Sequence, residues 1–323
     1  MNTKLEERCK RQLKNEHTIR QMSTLDSEES VKLGSLLYTA LGITAEDEKI
    51  AECRKILQSK TAFFSNLRGV LQSLLLLKMS IAEDSESYID GVIDTYDKLT
   101  KDNDISGLFS ILTSIIIFDD HGDKEVNAVI SQVLDMFNEV KETNPEMSHN
   151  SDMAYIALML LSGKADLKIE EEKKLIFNDL INAFHLSPDA AQASTLVLIT
   201  GTKPVEEKLR GFVGLYNALK ESGHATSLRR CISIYAAFTD IDVPREELAA
   251  LISEADQFLK TQKGYSVFSV STDFRKVIAA TLALQYCTID IPAEQADSAF
   301  SVPDVISIES LLFIVLMSIV SLS

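Results

Sequence analysis

The chain has 323 residues, of which 46% are hydrophobic and 25% charged, with only 12 glycines and 6 prolines. That profile belongs to a folded chain rather than a disordered one, and the shortage of Gly and Pro favours helices over tightly turned sheets. A formal net charge of −16 argues against nucleic acid and anionic membrane surfaces as partners, because both require a basic face.

Residues 1–30 are strongly charged. The opening run MNTKLEERCKRQLKNEH has no apolar core and does not read as a signal peptide. Leu5, Leu13 and Ile19 are sparse for a buried face, so the expectation is a charged helix lying on the surface. A helical-repeat domain is expected over residues 31–323. It opens with an apolar helix over 31–41, stopped by Gly42, and a helix over 46–59 with Ile50, Cys53 and Leu57 on one face. The segment 67–79 is intensely apolar. After an acidic turn, 88–99 carries the stripe Ile89, Val92, Ile93, Tyr96 and Leu99. The segment 105–118 is apolar again, and the DDHGD turn at 119–123 leads to a helix striped by Val126, Val129, Ile130, Val133, Phe137 and Val140.

The polar stretch 142–151 contains Pro145 and is the candidate joint within the repeat domain. Beyond it, 154–161 is apolar, Gly163 interrupts, and 169–184 is amphipathic. The clearest hairpin spans 187–222. Ser187 is expected at the N-cap with Pro188 in the first helical position, before a small-residue apolar helix. Gly201 breaks it, and Pro204 opens an amphipathic helix with Glu206 and Glu207 in its first turn and Val205, Leu209, Phe212, Tyr216 and Leu219 as its stripe. An apolar segment at 227–238, an amphipathic one at 247–261 and an apolar one at 277–286 continue the plan. The last apolar run, 311–320, is too short to span a bilayer comfortably and lacks a basic flank, so it is expected to be a buried closing helix.

Amphipathic helices thus start roughly 36 to 48 residues apart, the spacing of two-helix repeats. About seven such units fit, each needing a neighbour to bury its face. The expected fold is all-α, with two-helix repeats stacked as an α-solenoid and a closed α/α toroid as the alternative.

Chemistry-bearing motifs are few. Cys9, Cys53, Cys231 and Cys287 are far apart, so no metal or redox pair is expected. Asp102, Asp104, Ser106 and Gly107 resemble the opening of a calcium loop, but position twelve is Thr113 rather than a bidentate Glu. Nucleotide-binding, zincin and nucleophile-elbow signatures are absent. No cofactor, metal or catalytic residue is assigned.

One pattern is more specific. FFSNLRG (63–69) and VSTDFRK (270–276) share a Ser, then Asn or Thr-Asp, then a bulky apolar residue and an Arg, each at the start of a buried helix; TSLRR (226–230) is a looser copy. An Arg in a helix's first turn opposes the dipole and needs a carboxylate or a ligand anion nearby. Asn66, Arg68, Asp273 and Arg275 are therefore the candidate binding residues, on a shared rim, with an inter-repeat salt bridge as the structural alternative.

The charged N-terminal helix, the LYTALG segment with the following ECRKIL, the FFSNLRG element and the succession of helix pairs resemble the bacterial family filed as domain of unknown function 4003. The resemblance spans nearly the whole chain and implies a cytoplasmic protein, mainly of Gram-positive bacteria. That family has no established activity, so the resemblance brings no chemistry with it. Two functional expectations follow: a non-catalytic scaffold that holds a protein or peptide on the concave face of its repeats, or an enzyme with a carboxylate-lined cavity inside a toroid.

Overall fold

Helix-compatible residues at 3.6-residue spacing leave each segment one apolar face to bury, and the segments do so against one another. The computed structural model describes residues 1–22, 27–62, 65–101, 105, 107–121, 126–143, 149–161, 168–227, 229–290 and 308–319. Among these residues every regular element is helical and no strand occurs, so the all-α class holds. The chain divides into two compact units, Gln12–Ala165 and Met1–Arg11 with Asp166–Ser323. Residues 144–148 of the candidate joint at 142–151, and Asp102, Asp104 and Ser106 of the calcium-like loop, lie outside the described residues.

The first helix, α1 (Thr3–Met22), corrects the expectation of a surface helix. Leu5 and Cys9 are fully buried, as are the polar residues Gln12, Asn15 and Glu16. The reason is a buried face built largely from polar side chains. In the Gln12–Ala165 unit α1 packs against α2 (Glu28–Ala40) through hydrogen bonds. Gln12 donates to the Lys32 carbonyl (3.2 Å), and Asn15 donates to Thr39 Oγ1 (3.3 Å) and the Ile43 carbonyl (3.2 Å) and accepts from the Ala45 amide (2.9 Å). Lys32, without solvent exposure, reaches Glu16 at 2.8 Å. Every charge and amide in this layer finds a partner, which is what lets it be buried.

The same unit continues with α3 (Asp47–Lys60), a 3-10 turn (Asn66–Arg68), α4 (Gln72–Ile81), α5 (Ser85–Thr100), α6 (Leu108–His121), α7 (Val126–Thr143) and α8 (Ser151–Leu161). Asp84 caps α5 by accepting from the Glu86 and Ser87 amides at 2.9 and 3.0 Å. Its buried stripe is Ile89, Val92, Thr95 and Leu99, with Ile93 and Tyr96 half-buried. Two glycines set close helix approaches. A Cβ on Gly34 of α2 would lie 2.5 Å from Ser73 Cβ of α4, and one on Gly91 of α5 would lie 2.1 Å from the Phe118 ring of α6.

The second unit contains α9 (Lys168–Asn182), α10 (Pro188–Ile199), α11 (Val205–Glu221), a 3-10 helix (Arg229–Phe238), α12 (Arg245–Lys260), α13 (Thr272–Gln285) with a π-turn (Tyr286–Asp290), and α14 (Ile308–Ile319). Ser187 and Pro188 take the expected N-cap and first helical positions of α10, and Ala190–Ile199 is buried throughout. Pro204 is the N-cap of α11 rather than its first residue. Lys208, buried on α11, pairs with Glu172 of α9 at 2.9 Å. Within the apolar segment, Arg229–Phe238 winds as a ten-residue 3-10 helix, long for its kind. Beyond α13, the π-turn presents Asp290 to Arg8 of α1, which donates from Nε and Nη2 at 2.8 Å each while Nη1 donates to Gln285 Oε1 at 3.1 Å. A two-point guanidinium–carboxylate pair is the geometry that best offsets burial of both charges. The closing helix α14 buries Leu311 through Met317 against the 3-10 helix, α10 and α13. Ser318 meets Ser233 at 2.9 Å. Among the described residues no helix is long and apolar enough to cross a membrane.

Candidate functional site

The two Ser–Asn/Asp–apolar–Arg motifs fall in different units, Asn66 and Arg68 in Gln12–Ala165, Asp273 and Arg275 in the other. In both, the Ser is a cap. Ser65 Oγ accepts from the Leu67 amide at the start of the 3-10 turn, and Ser271 Oγ accepts from the Phe274 amide at the start of α13. The arginines then differ.

Arg275, 5% exposed, donates from Nε to Asp256 Oδ1 of α12 at 2.7 Å. Asp256 is itself 3% exposed, and its other oxygen lies 3.0 Å from His224 Nδ1. Asp273 accepts from the Ser227 amide (2.6 Å) and hydroxyl (2.7 Å), and Lys276 donates to the Gly223 carbonyl (3.4 Å) and the Ala225 carbonyl. These bonds tie the turn after α11 to α12 and α13. Sequence reasoning singled out Ser227 only as part of the TSLRR copy, and it did not flag His224 or Asp256 as partners. Asp256 sits on the buried side of α12, where an apolar residue would ordinarily stand, and a carboxylate there signals a partner.

Arg68 has no carboxylate among the described residues. Its Nε donates to Thr61 Oγ1 (2.8 Å) and its Nη2 to the carbonyls of Gln58 (2.5 Å) and Thr61. These three acceptors are neutral, and Nη1 makes no hydrogen bond among the described residues. Arg68 lines a cavity of about 350 Å³ together with the polar Ser65 and Asn66 and the aliphatic Val70, Leu71, Leu108 and Ile111. Asn66 is exposed, Leu71 and Ile111 are buried, and Leu71 stands at the N-cap of α4 without a side-chain cap. Chemically the cavity offers one half-buried cation among aliphatic side chains.

Elsewhere, Asp119 of the DDHGD turn pairs with Lys78 (2.8 Å) and accepts from the Tyr88 hydroxyl (2.8 Å). Asp240, another residue sequence reasoning passed over, accepts from the Thr202 amide (2.6 Å) and hydroxyl (3.3 Å) and holds the turn before α11. Among the described residues no three His, Cys, Asp or Glu side chains gather as a metal site. The four cysteines are buried, and among the described residues none is in a disulfide. Burial pushes the Cys9 and Cys287 thiols up to about 12 and raises that of Cys53. Two large apolar side chains stand out at the surface. Val267 and Phe268, in the turn between α12 and α13, are 66% and 97% exposed.

Neither a curated protein nor a solved structure matches the chain. The family described as proteins of unknown function, DUF4003, matches residues 17–311, which takes in both arginine motifs, the cavity and nearly every helix. By this match the chain belongs to the DUF4003 family.

Proposed function

We propose that this chain is a non-catalytic binding protein, a bacterial cytoplasmic scaffold whose helix pairs stack as α-solenoid repeats and hold a protein or peptide partner. The observation that carries the reading is the turn between α12 and α13. Phe268 projects 97% exposed and Val267 66% exposed. The turn is ordered by the Ser269 amide and the Val270 amide donating to the Ser266 carbonyl at 2.9 and 3.1 Å. An aromatic on a fixed turn has little entropy left to lose on contact and much apolar area to bury, the property of an interface anchor. The alternation of wholly buried helices such as α10 with half-exposed ones such as α11 supports the repeat stacking. Four buried cysteines outside any disulfide among the described residues fit a reducing compartment.

The test places a photo-crosslinking phenylalanine analogue at position 268 of the full chain in cells that make it, with Lys260, exposed on α12, as the control position. The expected result is one protein adduct at 268 that is missing at 260. The purified partner then binds the wild-type chain and not Phe268→Ser. Adducts of equal yield and pattern at both positions would overturn the reading.

A further inference from the structure

We infer that the cavity beside Arg68 is a binding site for a carboxylate carried on a short aliphatic chain. The argument starts from charge. Arg275 belongs to the same kind of motif and meets Asp256 at 2.7 Å. Arg68 meets three neutral oxygens and no carboxylate among the described residues. Those three bonds fix the guanidinium plane and consume Nε and Nη2, which leaves Nη1 with both its N–H groups for a guest. A guanidinium held this way is already ordered, so a ligand binding it loses little side-chain freedom on its account.

The shape of the cavity narrows the ligand. About 350 Å³ is at the small end of ligand pockets. Its lining mixes the polar Ser65, Asn66 and Arg68 with the aliphatic Val70, Leu71, Leu108 and Ile111. A single uncompensated cation matches a single negative charge. A phosphate group carries more charge and offers nothing to the aliphatic side chains, whereas a carboxylate with several methylene groups satisfies both. The chain's net charge of −16 does not forbid this. Exposed charges farther than about 8 Å are largely screened at physiological ionic strength, while a direct contact to the half-buried Arg68 is screened less.

The same chemistry has two sources, a free short-chain carboxylic acid and the C-terminal carboxylate of a peptide ending in an aliphatic residue. The site does not depend on the Val267–Phe268 turn, so its failure and that of the partner-binding reading are read separately. Calorimetric titration and thermal shift of the full chain, at constant ionic strength, would compare hexanoate, acetate, hexanol, hexylamine and inorganic phosphate. A second arm compares Gly-Gly-Leu with its C-terminal amide. Saturable binding is expected for hexanoate, for Gly-Gly-Leu, or for both, with acetate roughly tenfold or more weaker and the alcohol, amine and amide inert. Whichever carboxylate binds tighter identifies the source.

Arg68→Met should weaken carboxylate binding roughly tenfold or more, and Arg68→Lys should restore part of it. Because Arg68 also holds Gln58 and Thr61, Leu108→Trp provides a second variant that fills the cavity with the arginine intact; it should weaken binding while the thermal transition stays cooperative. Binding of hexanol equal to that of hexanoate, tighter binding of phosphate than of any carboxylate, or unchanged affinity in Leu108→Trp would overturn the assignment. So would the lack of a saturable signal from every carboxylate up to millimolar concentration.

Discussion

Replacing Arg275 by Met removes one partner of an ion pair that is almost dry on both sides. The Asp256 carboxylate, 3% exposed, then keeps only His224 Nδ1 at 3.0 Å among the described residues. Breaking a buried pair by deleting one partner costs about 3–5 kcal/mol, because the remaining charge is left without enough compensation. Against a total stability of about 5–15 kcal/mol for a typical domain, that is a large share. It corresponds to roughly two to nearly four orders of magnitude in the folding equilibrium. Met reproduces the aliphatic stem of Arg but not the volume of the guanidinium. The loss therefore combines the stranded charge with a small cavity, and the coupling in a double-mutant cycle separates the two.

The assay is equilibrium urea unfolding followed by far-UV circular dichroism, on wild type, Arg275→Met, Asp256→Leu and the double variant. A double-mutant cycle isolates the coupling. Each single change should destabilise by several kcal/mol, and the double change should cost much less than their sum, since an apolar pair replaces an ionic one. A loss below about 1 kcal/mol in Arg275→Met, the range of an exposed pair, would refute the reasoning.

Three further outcomes are expected. Gly91→Ala gains about 1 kcal/mol of helix propensity but drives a Cβ to within 2.1 Å of the Phe118 ring; overpacking of about 1–3 kcal/mol should win, giving a lower melting temperature that Gly91→Ala with Phe118→Leu recovers. Phe313→Ala on the fully buried face of α14 should cost about 3–5 kcal/mol, and removing residues 307–323 should lower the melting temperature and promote aggregation; a truncated chain as stable and more soluble would show that α14 is not core. The Cys9 and Cys287 thiols, held up to about 12 by burial against an ordinary 9.0, should make stability fall as pH rises. Below pH 9 both states keep these protons; above it the unfolded chain releases them first, so each thiol lowers stability by about 1.4 kcal/mol per pH unit towards pH 12. Alkaline melting curves, and slow native labelling that becomes fast on unfolding, check it.

The parts of the fold legible in sequence were those that apolar periodicity determines. The stripe of α5 and the wholly buried α10 with its Ser187–Pro188 start both appear where spacing and cap chemistry place them. The burial of α14 follows from its unbroken apolar run. What escaped was burial carried by polar groups. α1 was read as a surface helix because only Leu5, Leu13 and Ile19 were counted, yet Gln12, Asn15 and Glu16 are buried through partners on and after α2. The partners lie up to 30 residues away, and the period of a single helix carries no information about them. The winding of 229–238 as a 3-10 helix rather than an α-helix was equally invisible, since both bury the same apolar residues and differ in hydrogen-bond register.

The candidate site shows the same divide at the scale of one side chain. Local sequence placed Arg68 and Arg275 in first turns, where the helix dipole makes an unaccompanied cation unfavourable. Arg275 does sit in the first turn of α13, whereas Arg68 closes the 3-10 turn Asn66–Arg68 ahead of α4. The dipole therefore bears on Arg275 alone, and the case for an anion at Arg68 rests on its neutral partners. Neither argument says where the anion comes from. For Arg275 it is Asp256, nineteen positions earlier on the preceding helix. For Arg68 the preceding helix, α3, supplies a carbonyl at Gln58 instead of a carboxylate. Placing an acid there is therefore a direct probe of the difference. Gln58→Glu puts a carboxylate on the helix whose backbone already reaches Arg68. If Arg68 carries an unmet demand for negative charge, this variant should be more stable than wild type by up to about 1 kcal/mol, the ceiling for a partly exposed pair, and should weaken carboxylate binding at the cavity. Unchanged stability together with unchanged binding would mean that the three neutral oxygens and solvent already satisfy the charge, and the distinction drawn between the two arginines would lose its force.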